Sequence, residues 1–165
     1  MPYDPKTADR ILEAQMTSSP SASGRRDPRL CGELGALFDA ALAARANAYA
    51  PYSRFRVGAA LRSTEGGVFA GCNVENASYP IVTCAEAGAV AAMVAAGHKG
   101  IAEVVVIGGD DRIVTPCGAC RQRLREFGAA DVLVYCATPS GSLAVHSVGS
   151  LLPASFGPEH LAGDR

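Results

Sequence analysis

From residue 83 to residue 136 the chain alternates helical stretches with short, apolar ones. That alternation limits the possible fold more than any other feature. Thr83 to Ala96 is a near-continuous Ala-rich run. It predicts a helix buried on most sides, because its outer face carries hardly a polar group. Glu103-Val104-Val105-Val106-Ile107 precedes Gly108-Gly109 and predicts a strand covered on both faces. Cys117 to Phe127 reads as a helix closed by Gly128, and Asp131 to Cys136 as a further strand. Strands separated by helices in this way pair in parallel through crossovers.

The flanks add antiparallel pieces. Leu34, Leu37, Phe38, Ala41 and Leu42 recur at helical steps, predicting a helix that ends near Tyr49 and is stopped by Pro51. Val57 to Ser63 and Val68 to Val74 flank Glu65-Gly66-Gly67, a hairpin signal. Pro139-Ser140-Gly141 turns the chain into Leu143 to Val148, and a last helical turn spans Val148 to Leu152. The expected fold is α/β, a three-layer α/β/α sandwich around one mixed five-stranded sheet.

The 165 residues suit one domain. Residues 1–30 read as a flexible N-terminal extension, and residues 31–165 as the folded domain. Thr17 to Gly24 is small, polar and turn-prone, and a short helix from Ala8 to Met16 is marginal alone. The first residues carry Asp4, Asp9 and Glu13 and no apolar stretch, so no secretory signal is expected. Nor is any run long enough for a membrane span. These features give the expectation of a cytoplasmic protein. Fifteen basic and 16 acidic residues leave a formal net charge of -1, which argues against binding a nucleic-acid backbone.

Six cysteines are present: Cys31, Cys72, Cys84, Cys117, Cys120 and Cys136. Without an export signal, metal binding or catalysis is a better reading of some of them than a disulfide framework. Cys84-Ala85-Glu86 and Pro116-Cys117-Gly118-Ala119-Cys120 each open a predicted helix. Cys117 and Cys120 stand three apart and share a helix face. Helix N-termini favour thiolates. Cys84, Cys117 and Cys120 make a soft donor set for one Zn²⁺ with its fourth position open to water. Glu86, two residues after Cys84, is the candidate proton shuttle. Taken singly, each part has a plainer explanation. Thr83 and Glu86 also fit a capping box, Cys84 fits a small buried hydrophobe, and Cys-x-x-Cys fits a structural zinc half-site or a redox pair.

The combination matches the signature of zinc deaminases, a Cys or His before x-Glu and then Pro-Cys-x-x-Cys. Beyond it, Pro51 to Ala60, Asn73 to Pro80 and Leu151 to Pro158 resemble the short-chain cytidine deaminase family, so the resemblance spans about residues 32–162. The resemblance implies hydrolysis of cytidine and deoxycytidine to uridine and deoxyuridine plus ammonia. Metal-activated water attacks C4, and Glu86 protonates the adjacent ring nitrogen. It further implies that Asn73 and Glu75 bind the ribose 3′-hydroxyl and that Phe55 packs against the nucleoside. Ala85 and Tyr79 line the pocket, and Phe156 reaches into a neighbouring subunit of a homotetramer. Zinc is the one cofactor implied, one ion per chain, and the setting implied is pyrimidine salvage. Cys31, Cys72 and Cys136 are expected to be buried thiols.

One position departs from that pattern. Many relatives carry Arg after Cys-Ala-Glu, whereas this chain has Ala87. The two helix N-termini, Gln122 or Arg121 are the available substitutes for the missing charge. Two other readings stay open at this point. One is deamination of another aminopyrimidine nucleoside, of the blasticidin S type or a modified cytidine. The other is thiol–disulfide exchange at Cys117 and Cys120.

Overall fold

The computed structural model describes residues 26–110 and 112–161. The expected helix at 8–16 and the linker at 17–24 lie outside the described residues. In chain order the elements are α1 (Gly32–Ala46), β1 (Gly58–Ser63), β2 (Val68–Cys72), α2 (Ala85–Ala95), β3 (Ile101–Ile107), α3 (Gly118–Phe127), β4 (Leu133–Ala137), β5 (Leu143–Ser147) and α4 (Val148–Leu151). The five strands form one sheet in the order β2-β1-β3-β4-β5. β3 and β4 pair in parallel, and the other three pairings are antiparallel. β2, β3 and β4 therefore run the same way, with β1 reversed between β2 and β3.

Two cores sandwich this sheet. On one face Ala59, Leu61, Val104 and Val106 pack with Ala85, Ala89 and Met93 of α2 and Leu124 of α3. On the other, Ala60, Val105 and Ile107 pack with Leu37, Phe38 and Ala41 of α1. β3 is apolar on both sides because alternate residues feed opposite cores, and each buried valine contributes on the order of 1.5–3 kcal/mol. Glycines allow the close approach. A Cβ on Gly58 would lie 2.1 Å from the Ala41 carbonyl oxygen, and one on Gly71 would lie 2.5 Å from both the Ala85 oxygen and the Ala89 nitrogen. The hairpin thus seats α1 and α2 on opposite faces.

Several expectations change. α1 ends at Ala46, short of Tyr49, because Tyr49 instead bridges to Val74. α2 begins at Ala85, and its outer face is bare: Ala91, Ala92, Val94 and Ala95 are exposed. Only the side against the sheet finds a cover within one chain. Gly128 does end α3, but with extended backbone (φ -119°) and not a left-handed turn. Residues 26–30 lie against the body. Leu30 is buried, the Asp27 N–H donates to the Gly141 carbonyl, and the Arg26 guanidinium sits 4.6 Å from the Phe38 ring centre. Cys136 is buried as expected, whereas Cys31, ahead of α1, is exposed and Cys72 is half-buried.

Candidate active site

The chain leaves β2 at its C-terminal end and returns through a two-residue bridge. Val74 and Thr83 exchange backbone hydrogen bonds of 2.9 and 3.0 Å, which delivers Cys84 to the start of α2. β3 likewise ends at Ile107, and the following irregular segment delivers Cys117 to the start of α3. Cys84 and Cys117 are the N-caps of their helices, and Cys120 lies in the first turn of α3. Both helices therefore point unsatisfied N–H groups and positive dipole ends at one place. The capping box read for Thr83 and Glu86 does not form, since the cap residue of α2 is Cys84 and no side chain caps it. Glu86 is left free for other work, with only 4% of its surface exposed.

The three Sγ atoms lie within 4.8 Å of one another, and Cys84 and Cys117 are 4.0 Å apart. All three are free thiols. Their acidities conflict. Burial pushes Cys84 up, opposed by its hydrogen bond with Cys120 and reinforced by Cys117 and Glu86. Burial also pushes Cys120 far above the usual thiol range, with the Glu86 carboxylate adding to the effect. Burial acts on Cys117 too, but the Cys120 N–H and the neighbouring thiols outweigh it and leave Cys117 below the ordinary value. Three sulfurs this close resist ionising together, and a bound dication removes that conflict. Three soft donors on two rigid helix starts suit zinc. Among the described residues no His or fourth Cys joins the cluster. His98 instead contacts Ser63 and Glu65 at the hairpin.

A cavity of about 320 Å³ opens beside the sulfurs. Cys84, Cys117, Ala85, Glu86, Asn73 and Phe55 line it, with Val57, Val82, Val106, Val114 and Thr115 completing the wall. Glu75 and Tyr79 lie in an adjoining cavity of about 370 Å³ with Tyr52 and Ser53. Val82 belongs to both. Phe156 is brought to neither. It is 58% exposed and stacks on His160 at 5.1 Å.

Asn73 and Glu75 also brace the wall itself. Asn73 accepts from the Val57 N–H at 2.8 Å and donates to the Phe55 carbonyl at 2.9 Å. Glu75 accepts from the Tyr52 and Ser53 N–H groups and from the Ser53 hydroxyl. The Ser53 hydroxyl leads the contacts that hold the Glu75 carboxyl below its ordinary value. Of the substitutes for the missing arginine, Gln122 donates to the Phe156 carbonyl. Arg121 donates to Pro116, Leu151 and Thr115. The two helix starts point positive dipole ends at the sulfurs. The sequence reading missed Thr115 and Val114 as cavity wall; their place just before Pro116-Cys117 is the one signal that could have indicated them.

Comparison with known proteins agrees with this geometry. Residues 33–136 match the family described as the cytidine and deoxycytidylate deaminase zinc-binding region. The chain is 42% identical over 125 residues to a cytidine deaminase of Halalkalibacterium halodurans, covering 76% of this chain and 95% of that protein. It is 45% identical over 130 residues to a probable cytidine deaminase of Dictyostelium discoideum, covering 78% and 87%. The crystal structure of a cytidine deaminase from Burkholderia pseudomallei superposes with a TM-score of 0.70 at 48% identity, covering 74% of this chain and 98% of that one. On its fold, its sulfur cluster and these relatives, the chain belongs to the cytidine deaminase family.

Proposed function

We propose that this chain hydrolyses cytidine and deoxycytidine to uridine and deoxyuridine, releasing ammonia, with zinc held by Cys84, Cys117 and Cys120. The observation that carries the reading is Glu86, buried at the wall of the cavity beside the three sulfurs and engaged in no capping. Zinc, when bound, would act as a Lewis acid, polarising a coordinated water and lowering its pKa.

The chain's own residues supply the rest. Glu86 takes a proton from the attacking water and delivers it to the ring nitrogen beside the amino carbon. It then serves the departing ammonia. Such acid–base transfer contributes about 10²–10⁴-fold. Phe55 and the apolar wall hold the flat base and exclude bulk water, and Ala85 lies at its edge. Asn73 and Glu75 retain lone pairs and an N–H beyond their bonds to residues 52–57, and these suit a ribose hydroxyl. Tyr79 borders that side.

Redox exchange at Cys117 and Cys120 is not favoured, because Cys84 and Glu86 share the site with them. A blasticidin-type or otherwise modified substrate is not favoured either, since the relatives named above are cytidine deaminases. The same proposal includes a homotetramer acting in pyrimidine salvage in the cytoplasm, with Phe156 completing a neighbour's site. The exposure of Phe156 and the bare apolar face of α2 support the assembly. Among the described residues no helix is long and apolar enough to cross a membrane.

Ultraviolet assay of the pure protein with cytidine, deoxycytidine, cytosine and cytidine monophosphate tests the substrate. The two nucleosides are expected to react and the other two not. Glu86→Gln is expected to retain zinc and lose about 10²–10⁴-fold in kcat. Near-normal turnover in a zinc-loaded Glu86→Gln protein overturns the shuttle role.

A further inference from the structure

Cys117 is delivered to the cluster by a segment with no strand or helix of its own, and Pro116 within it is fully buried. A buried carbonyl there needs a donor, and no regular ladder offers one. Arg121 supplies it from inside α3. Its Nε donates to the Pro116 carbonyl at 2.7 Å, Nη2 to the Thr115 hydroxyl at 2.8 Å, and Nη1 to the Leu151 carbonyl at 2.8 Å. The same helix grips the chain's last segment: Gln122 donates to the Phe156 carbonyl and Arg125 to Ser155 and Glu159. One guanidinium thus joins the residues just before a sulfur ligand to the end of α4.

We propose that Arg121 is a positioning residue for the metal ligands, fixing the Thr115-Pro116 segment against Leu151 so that Cys117 stays within reach of Cys84 and Cys120. The inference rests on the zinc reading above. Arginine suits the task because its planar fork presents several donors in fixed directions, which a lysine ammonium cannot reproduce. Without it, two carbonyls lose their donor and the segment ahead of Cys117 loses its tie to α4. Outer partners that orient metal ligands are typically worth 10–100-fold in metal affinity or activity.

The test measures zinc content of the purified protein and then the rate at which a chromogenic chelator removes the metal. The wild type is expected to hold one zinc per chain and release it slowly. Arg121→Ala and Arg121→Lys are both expected to release it about 10–100-fold faster, with kcat falling more than KM rises. Arg125→Ala, which removes contacts to Ser155 and Glu159 alone, is expected to release zinc at the wild-type rate. Should Arg121→Ala fail to fold, Thr115→Val removes one of the three bonds at nearly constant volume and is expected to speed release. A wild-type release rate in Arg121→Ala, or in Thr115→Val where that variant stands in, overturns the positioning role; so does full rescue by Arg121→Lys. A wild type that binds no zinc overturns the zinc reading and this inference together.

Discussion

Cys84 and Cys117 are 33 residues apart in the chain, yet their Sγ atoms approach to 4.0 Å. Each occupies the N-cap position of a different helix, and both helices begin beyond the C-terminal ends of strands that run in the same direction. The sheet, not either motif, sets the spacing. Changing Cys84 or Cys117 to Ser keeps the size but replaces a soft donor with a hard one. Zinc content by elemental analysis is expected to fall well below one per chain. Full retention of zinc in either variant contradicts the assignment.

Much of this was readable in the sequence, because β3 and the two Cys-bearing helix starts are set by local pattern. The all-apolar Val104 to Ile107 run announced a strand between two cores, and the spacing of Cys117 and Cys120 announced a shared helix turn. What was hidden depends on contacts distant in the chain. Nothing local to Asn73 shows that its amide will brace Phe55 and Val57. Nothing local to α2 shows that its outer face will stay bare within one chain. Leu30 is buried because α1 and the sheet make a slot for it, a fact that the polar run before it concealed.

Gly71 ties the packing to the chemistry. An added Cβ would meet backbone atoms of Ala85 and Ala89 at 2.5 Å, and backbone cannot swing aside as a side chain can. Gly71→Ala must therefore push the first turn of α2 off the sheet, and Glu86 sits on that turn. The expected cost is on the order of 1–3 kcal/mol of stability, with a fall in kcat as well. Gly66→Ala makes a useful contrast. Gly66 has φ +88° in the hairpin turn with nothing near its Cβ position. The strain there is expected to lower the melting temperature and leave kcat alone. Equal kcat in the two variants would count against the coupling.

Asp27 pins the start of the described chain. Its carboxylate accepts from the Arg29 side chain at 2.8 and 2.9 Å and from the Arg29 N–H at 2.9 Å. The Arg29 guanidinium holds its pKa below the ordinary 3.8. The folded state thus prefers the ionised form. That stabilisation is fully present above the unfolded pKa and is lost as pH falls through the lower folded one. Asp27→Asn is expected to cost up to about 1 kcal/mol near neutral pH. The gap from wild type should narrow as pH falls below the ordinary aspartate range, read by urea unfolding at neutral and at acidic pH. A gap that is independent of pH means the pair contributes by packing and not by charge.

Phe156 lies outside its own chain's cavity, stacked on His160 and more than half exposed. If it serves a neighbour, its loss removes base stacking of about 1–3 kcal/mol, which is roughly 5- to 150-fold in KM. Raised KM alone does not show which subunit the ring serves, but mixing does. Phe156→Ala chains keep Glu86 and the sulfurs, while Glu86→Gln chains keep the ring. Co-expression of the two defective chains can then build sites that have both, provided the ring crosses a subunit boundary. Activity at low cytidine is expected to exceed the sum of the two parents, and light scattering of the wild type is expected to give four chains. A monomer in solution, or a mixture no better than its parents, ends the shared-site reading.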